Sequence, residues 1–394
     1  MGSILIIGGS LVNKGAQAMT YVTVCEMKRR FPDKEIIVAM NLRALPKGTD
    51  LSNFKFKVVD DTVERKESLF LLGGIWSLIA LKKGAKPAEI KKVREIWKNV
   101  DYVFDISGYA IGKKWGTRKS CRIAMKAALA KKYHAHCIFL PQSFGPFDFN
   151  EDVKITHKIL RKWLSCADVL YARELSGKKM LQEIGVHNVE TAEDIVLQNK
   201  EYDISLIYNQ EPKIQDVQIE KKSVAVIPNQ HIASGKVNDA YHLWHAVVTR
   251  LLGQGYTVYL MMHDNSDLEI IKKIKEQFGE DKRVILLTNN FSCIEFNRLV
   301  NQFDFLVASR YHSIVHAYRN AVPCSALGWA DKHGSLLESV HQEQYVIDMR
   351  QKVEEKELLS AIEDMMAHCV QNREKIRNNV DRIQKENVFE RLEK

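Results

Sequence analysis

Neither a GxGxxG nor a GxxxxGK[ST] turn occurs in the chain, so two common nucleotide-phosphate loops are excluded. No CxxC pair occurs among its cysteines (Cys25, Cys121, Cys137, Cys166, Cys293, Cys324 and Cys369). Their odd number and scatter argue against a zinc site or a disulfide frame and suggest a reducing compartment. No apolar run exceeds thirteen residues, too few to span a bilayer. No basic block is interleaved with aromatic residues in the way a nucleic-acid groove requires. The opening MGSILIIGGS lacks a charged region and a cleavage site and reads as a strand, not as a secretory signal. The expectation is a cytoplasmic protein with no nucleic-acid partner and no metal.

What remains is ordinary globular sequence, 45% hydrophobic and 27% charged. Its 394 residues exceed what one core usually takes, so two domains are expected. The formal net charge of +9 favours anionic partners such as phosphorylated metabolites or acidic lipid.

Strands are expected at Ile4–Ile7, Glu35–Met40, Phe56–Val59, Tyr102–Ile106, His136–Leu140 and Asp168–Tyr171. Helices follow Asn13–Ala18 to about Arg30 and fill Thr117–Lys132 and Lys154–Cys166. Polar, weakly periodic residues then run to Lys222, the expected domain boundary. Alternation restarts with strands Val224–Ile227, Thr257–Met262, Val284–Leu287, Phe305–Ala308 and Cys324–Leu327. Helices at Tyr241–Gly253, Asp267–Phe278 and Cys293–Gln302 separate them. This pattern predicts an α/β protein of two Rossmann-like doubly wound domains, residues 1–200 and 223–352. Residues 201–222 link them, and a charged helical tail fills 353–394.

Leu69–Leu81, LFLLGGIWSLIAL, is the most apolar run and precedes Lys82, Lys83, Lys86, Lys91 and Lys92. It reads as a buried helix or an interdomain packing segment. The alternative is an apolar element with a basic flank that touches an anionic membrane through Phe70, Leu72 and Trp76.

In an open α/β sheet, ligands bind outside the carboxyl ends of the strands. The Phe305–Ala308 strand releases Arg310 and His312 at that edge, and Lys332 follows the next strand. Two fixed cations beside a titratable imidazole call for an anionic ligand. Other strand ends add Asn13 and Gly15 in a turn suited to an anion, then Asp105, Gln142, Ser143, Arg173, His263 and Asp264. Glu295 opens a helix and His316 lies on one.

Two such halves joined by a linker describe the GT-B architecture, and the motifs together resemble the polysaccharide pyruvyl transferase family. The resembling stretches are Asn13-Lys14-Gly15-Ala16-Gln17-Ala18, Gln142-Ser143-Phe144-Gly145-Pro146-Phe147, and Ala172-Arg173-Glu174 with Ser176. Gly185-Val186, Asp194, His263-Asp264, Glu295, Ser309-Arg310-Tyr311-His312 and Pro323 through Lys332 complete the set. They follow the family's order over most of the chain. Gln17 stands where many members carry an acidic residue, so no acceptor sugar is carried over.

The resemblance implies transfer of pyruvate from phosphoenolpyruvate, a co-substrate and not a cofactor, onto two hydroxyls of a sugar. The sugar would belong to an envelope or exported polysaccharide or its precursor, lipid-linked or otherwise, handled at the inner face of the membrane. The products are a cyclic ketal and phosphate. Arg310 would hold one anionic group bidentately and Lys332 the other, with Arg173 closing from across the cleft. His312 is the expected general acid. Asp264, Asp105 and Glu295 are the candidates for the base. Asn13, Gly15, Gln142, Ser143 and His263 would line the substrates. The rival readings are a GT-B glycosyltransferase, with Glu295 on a nucleotide ribose, and a non-catalytic polysaccharide-assembly protein.

Overall fold

The computed structural model describes residues 2–45, 48–61, 64–150, 152–235 and 237–393. Strands β1 (Ser3–Gly9), β2 (Glu35–Met40), β3 (Lys57–Asp60), β4 (Val100–Asp105), β5 (His136–Gln142), β6 (Val169–Ala172) and β7 (Val189–Thr191) form one sheet. Its order is 3-2-1-4-5-6-7 and its ladders are parallel. Strands β8 (Ser223–Ile227), β9 (Thr257–Met261), β10 (Val284–Leu287), β11 (Phe305–Ala308), β12 (Cys324–Gly328) and β13 (Val346–Asp348) form the second. It is also parallel, in the order 10-9-8-11-12-13. In both sheets the strand order reverses beside the first strand of the half, which opens a crevice at the carboxyl edge.

The central strands are apolar on both faces because helices cover both. Alternate residues of β1 go to opposite sides: Ile4 and Ile6 face one core, Leu5 and Ile7 the other. The first of these cores runs without a break into the second domain. The helix Lys14–Arg30 begins at Asn13, whose side chain accepts from the Ala16 N–H at 2.9 Å, and ends in Lys28, Arg29 and Arg30. Both ends suit the helix dipole and the orphan N–H groups of the first turn.

The segment after β7 reaches Ser223 through one short helix, Ile204–Ile207, and is strapped to the second domain. Glu295 accepts from the Gln215 N–H at 2.7 Å, and Gln302 from that of Ile219 at 3.1 Å. The tail forms helices Glu355–Ala367 and Cys369–Lys385 and then returns to the first domain. There the Val388 N–H donates to Gln198 Oε1 at 2.7 Å, Arg30 Nε to the Phe389 carbonyl at 3.1 Å, and Arg391 pairs with Glu190.

The apolar run is not an interdomain segment. It breaks at Gly73 and Gly74, with φ of +86° and +55°, between helices Glu64–Leu71 and Ile75–Lys82 on the outside of the first domain. Phe70, Leu72 and Trp76 turn inward, the last against Trp163 at 5.0 Å. The residues left outside are Ile75, Leu78 and Leu81. Among the described residues no helix is long and apolar enough to cross a membrane.

Candidate active site

The carboxyl edges of the two sheets face each other across a cleft. From β11 the chain passes through Ser309 and Arg310 into the helix Tyr311–Arg319. From β12 it passes through Trp329 into the helix Asp331–Ser339, with Lys332 in its first turn. The Lys332 ammonium lies 5.0 Å from the ring centres of both Tyr311 and Trp329 and 5.9 Å from that of Tyr109. It makes no ion pair among the described residues. Burial, then the Arg173 charge, lowers its pKa to about 7.

Lys114, from the loop after β4, lies 4.8 Å from the same Trp329 ring. It also makes no ion pair among the described residues, and burial followed by the charge of Arg310 lowers its pKa. His231 packs on Trp329 at 4.5 Å, and burial together with Lys114, Arg310 and Lys332 depresses it. Lys114, His231 and Trp329 escaped sequence reasoning. The basic pair Lys113-Lys114 after the small-residue turn Gly108–Gly112 was the available signal.

Arg310 differs from expectation. Its fork already grips Asp267, with Nε 2.8 Å from Oδ2 and Nη2 2.5 Å from Oδ1, and Nη2 also reaches Ser266 Oγ at 2.8 Å. Asp267 is fully buried. Nη1 alone has no hydrogen-bond partner among the described residues, so Arg310 can offer a ligand one N–H edge and not a bidentate grip.

Across the cleft, Arg173 is buried and its two terminal nitrogens are engaged within its own domain, while Nε has no hydrogen-bond partner among the described residues. Nη1 pairs with Asp194 Oδ2 at 2.6 Å; Nη2 donates to the Gly108 carbonyl and to Ser143 Oγ, both at 2.9 Å. Its guanidinium lies 4.6 Å from the Tyr311 ring centre, an interdomain cation–π contact. Ser143 Oγ donates in turn to Glu174 at 2.7 Å. Ser143 therefore shapes this network, while Gln142 donates to Asp105 at 3.1 Å.

The same Asp194 Oδ2 approaches His312 Nε2 at 3.6 Å. Burial lowers the imidazole to about 4, the pull of Asp194 opposing it and the charges of Arg173 and Lys332 adding to it. His312 is thus neutral near pH 7 in the free protein, not poised as an acid. Nε2 is buried without a hydrogen-bond partner. Gly15 packs on this ring, and a Cβ there would overlap it. Asn13 serves as the helix cap.

The three candidate bases separate. Asp105 is buried, accepts from the Ser107 N–H at 3.0 Å and from Gln142, and burial outweighs these bonds to raise it to about 6. For Asp264, burial pushes the carboxyl up, but hydrogen bonds from Ser266 and the charges of Arg310 and Lys14 leave it below the usual range. It caps a turn, and a carboxylate so held is a weak base. Glu295 is committed elsewhere: Oε2 accepts from the Ser292 N–H at 2.6 Å in a capping box, and Oε1 holds the linker at Gln215.

His263 is buried edge-on against Phe296 at 5.0 Å, and its carbonyl accepts from Lys14 Nζ at 2.9 Å. His316 is buried with Nδ1 3.1 Å from Asn297 Oδ1. Both pack the domain interface. Among the described residues no group of three His, Cys, Asp or Glu side chains could hold a metal ion.

Two facing parallel sheets with a cationic, aromatic-walled cleft define a GT-B-like fold. Solved structures share it: a UDP-GlcNAc 2-epimerase from Methanocaldococcus jannaschii is 12% identical, with a TM-score of 0.56 over 92% of each chain. MnaA of S. aureus, solved with UDP, is 12% identical with a TM-score of 0.57 over 95% of this chain and 91% of its own. The trehalose-6-phosphate synthase OtsA is 8% identical, with a TM-score of 0.55 over 97% of each. No curated relative matches. The family model for polysaccharide pyruvyl transferase matches residues 13–331, and the chain belongs to that family.

Proposed function

We propose that this protein transfers pyruvate from phosphoenolpyruvate to two hydroxyls of a sugar in a cell-envelope or exported polysaccharide or its precursor. The product is a cyclic ketal, and phosphate is released. The observation that carries the reading is the meeting of Lys114 and Lys332 at Trp329, with Arg310 close enough for its charge to act on Lys114 and His231 and neither lysine ion-paired among the described residues. Uncompensated ammonium groups in a half-buried cleft favour a small, densely charged anion. Phosphoenolpyruvate, with a phosphate and a carboxylate on adjacent oxygen and carbon, fits that requirement.

The proton count closes. One hydroxyl proton is matched by the proton gained at the methylene carbon, which becomes methyl; the other leaves on phosphate. Protonation builds positive charge on the central carbon, which the first hydroxyl attacks. Loss of phosphate then exposes the same carbon to the second hydroxyl. A bound trianion opposes the burial that holds His312 low, so donor binding itself would raise the imidazole toward protonation. That converts a neutral histidine into an acid only when substrate is present. The reading places the reaction in the cytoplasm.

Calorimetric titration with phosphoenolpyruvate, and separately with UDP-N-acetylglucosamine, tests this. Saturable binding of phosphoenolpyruvate that falls about 100-fold in Lys332→Gln is expected from loss of one buried charge contact. Tight binding of the nucleotide sugar with no response to phosphoenolpyruvate, alone or with the sugar present, would overturn it. The engagement of both Glu295 oxygens weighs against a ribose-holding role for that residue.

A further inference from the structure

A cavity of about 440 Å³ adjoins the cleft, between the end of β7, the helix Asp331–Ser339 and the tail helix Cys369–Lys385. Its walls include Arg173, Glu193, Ser335, Glu338, Ser339 and Arg382. Lys332, Ser335 and Ser339 are spaced to share one face of their helix, so the cavity continues along that face from the cationic cleft, and Arg173 borders both. Hydroxyls, three carboxylates and three guanidiniums make a lining rich in donors and acceptors with its charges in balance, which suits a polyol rather than an apolar group or a bare anion. The serine, Glu338 and Arg382 walls lie beyond residue 331, where the family match ends.

We propose that this cavity is the subsite for the acceptor sugar and that Glu193 takes the proton of its attacking hydroxyl. The inference rests on the pyruvyl-transfer reading. In the step, the O–H bond breaks, the proton passes to a Glu193 oxygen, and the hydroxyl oxygen bonds the central carbon of the protonated donor. Glu193 then returns its proton to the departing phosphate. Burial raises Glu193 to about 7, with Ser339 opposing and Asp194 adding, which suits a base working near neutrality. The three carboxylates considered from sequence lack this combination of cavity and poise.

The test separates the two readings. Methyl glycosides of galactose, glucose and N-acetylmannosamine are scanned for binding by ligand-detected NMR, and phosphoenolpyruvate binding is measured by calorimetry. At least one glycoside should bind the wild type and be lost in Ser335→Tyr, which fills the cavity, and in Arg382→Ala, which lies on its exposed rim. Donor binding should persist in both. Glu193→Gln should keep both bindings and lose phosphate release about 100-fold or more. Failure of every glycoside to bind, glycoside binding unchanged in both cavity variants, or full turnover in Glu193→Gln would overturn the subsite. Loss of donor binding by the wild type would instead overturn the underlying reading.

A second observation stands independently. Ile75, Leu78 and Leu81 are 67%, 69% and 49% exposed and follow one another at helical spacing on Ile75–Lys82. Exposed Lys82, Lys83, Lys86 and Lys91 adjoin them without an ion pair among the described residues. Residues 64–98 hold nine Lys or Arg against four Asp or Glu, so five of the nine net positive charges reside there. The helix Pro87–Lys98 leads into the amino end of β4, so its start, with Lys86, lies at the carboxyl edge where the cleft opens.

We infer that this face docks on an anionic lipid bilayer, the stripe entering the headgroup region and the lysines meeting lipid phosphates. Cosedimentation with phosphatidylcholine vesicles, with and without phosphatidylglycerol, is the test. Binding only to the anionic vesicles is expected, weakened at least about tenfold by Ile75→Ser with Leu78→Ser and also by Lys82→Glu with Lys83→Glu. Absence of wild-type binding, or a self-association that the same substitutions abolish, would overturn it.

Discussion

The carboxylate of Asp194, in the first domain, lies 3.6 Å from the imidazole of His312 in the second, while the same oxygen holds Arg173 at 2.6 Å. One buried anion thus serves a cation from its own domain and a titratable ring from the other. Asp194→Asn leaves Arg173, 3% exposed at its side chain, without its partner. A loss of about 3–5 kcal/mol is expected in urea unfolding. Asp194 also pulls the imidazole upward, so an NMR titration of the variant should find His312 lower still.

Lys332 predicts a pH dependence. Its free-protein value of about 7 means that above neutrality the protein must take up a proton to bind an anion. Each further pH unit costs about 1.4 kcal/mol, or tenfold. Phosphoenolpyruvate affinity should therefore fall as pH rises through 7, with proton uptake visible as a buffer-dependent heat. Lys332→Arg should flatten the profile.

Arg310→Ala should damage folding as well as binding, because it strands the fully buried Asp267. The expected cost is about 3 kcal/mol in urea unfolding. Coupling Arg310→Met with Asp267→Asn should recover most of that stability and none of the donor affinity. Recovery of binding in the double variant would show that Arg310 acts only on the sheet edge.

Glu295→Ala should cost about 1 kcal/mol through the lost cap and leave phosphoenolpyruvate binding unchanged. A selective loss of nucleotide-sugar affinity in this variant would favour the glycosyltransferase reading.

Gly15→Ala places a methyl where the His312 ring sits. The domains or the ring must shift, at about 1–3 kcal/mol. A fall in turnover that exceeds the fall in melting temperature is the expected signature.

The alternation of strands and helices, and the release of Arg310, His312 and Lys332 at strand ends, were legible because period and position carry that information. The three-residue edge strands β7 and β13 were not, being too short to show a period. Asp267 sits three residues beyond Asp264, yet only the fold reveals that it, and not a ligand, fills the fork of Arg310. Lys114 is one lysine among many until Trp329 is brought beside it. The apolar run reads less plainly because a two-glycine break divides it into two short helices, the second of which sends Trp76 and Ala80 inward and leaves Ile75, Leu78 and Leu81 outside.

The linker leaves the first domain beside Gln198, and the tail comes back to that same Gln198 through Val388. Both covalent connections between the domains therefore pass through one spot. Lys14 against His263 and Gln17 against the Cys293 N–H at 2.6 Å act as the latch. Under the pyruvyl-transfer proposal, these two interdomain hydrogen bonds must break for the cleft to widen, while the crossings at Gln198 hold the domains together.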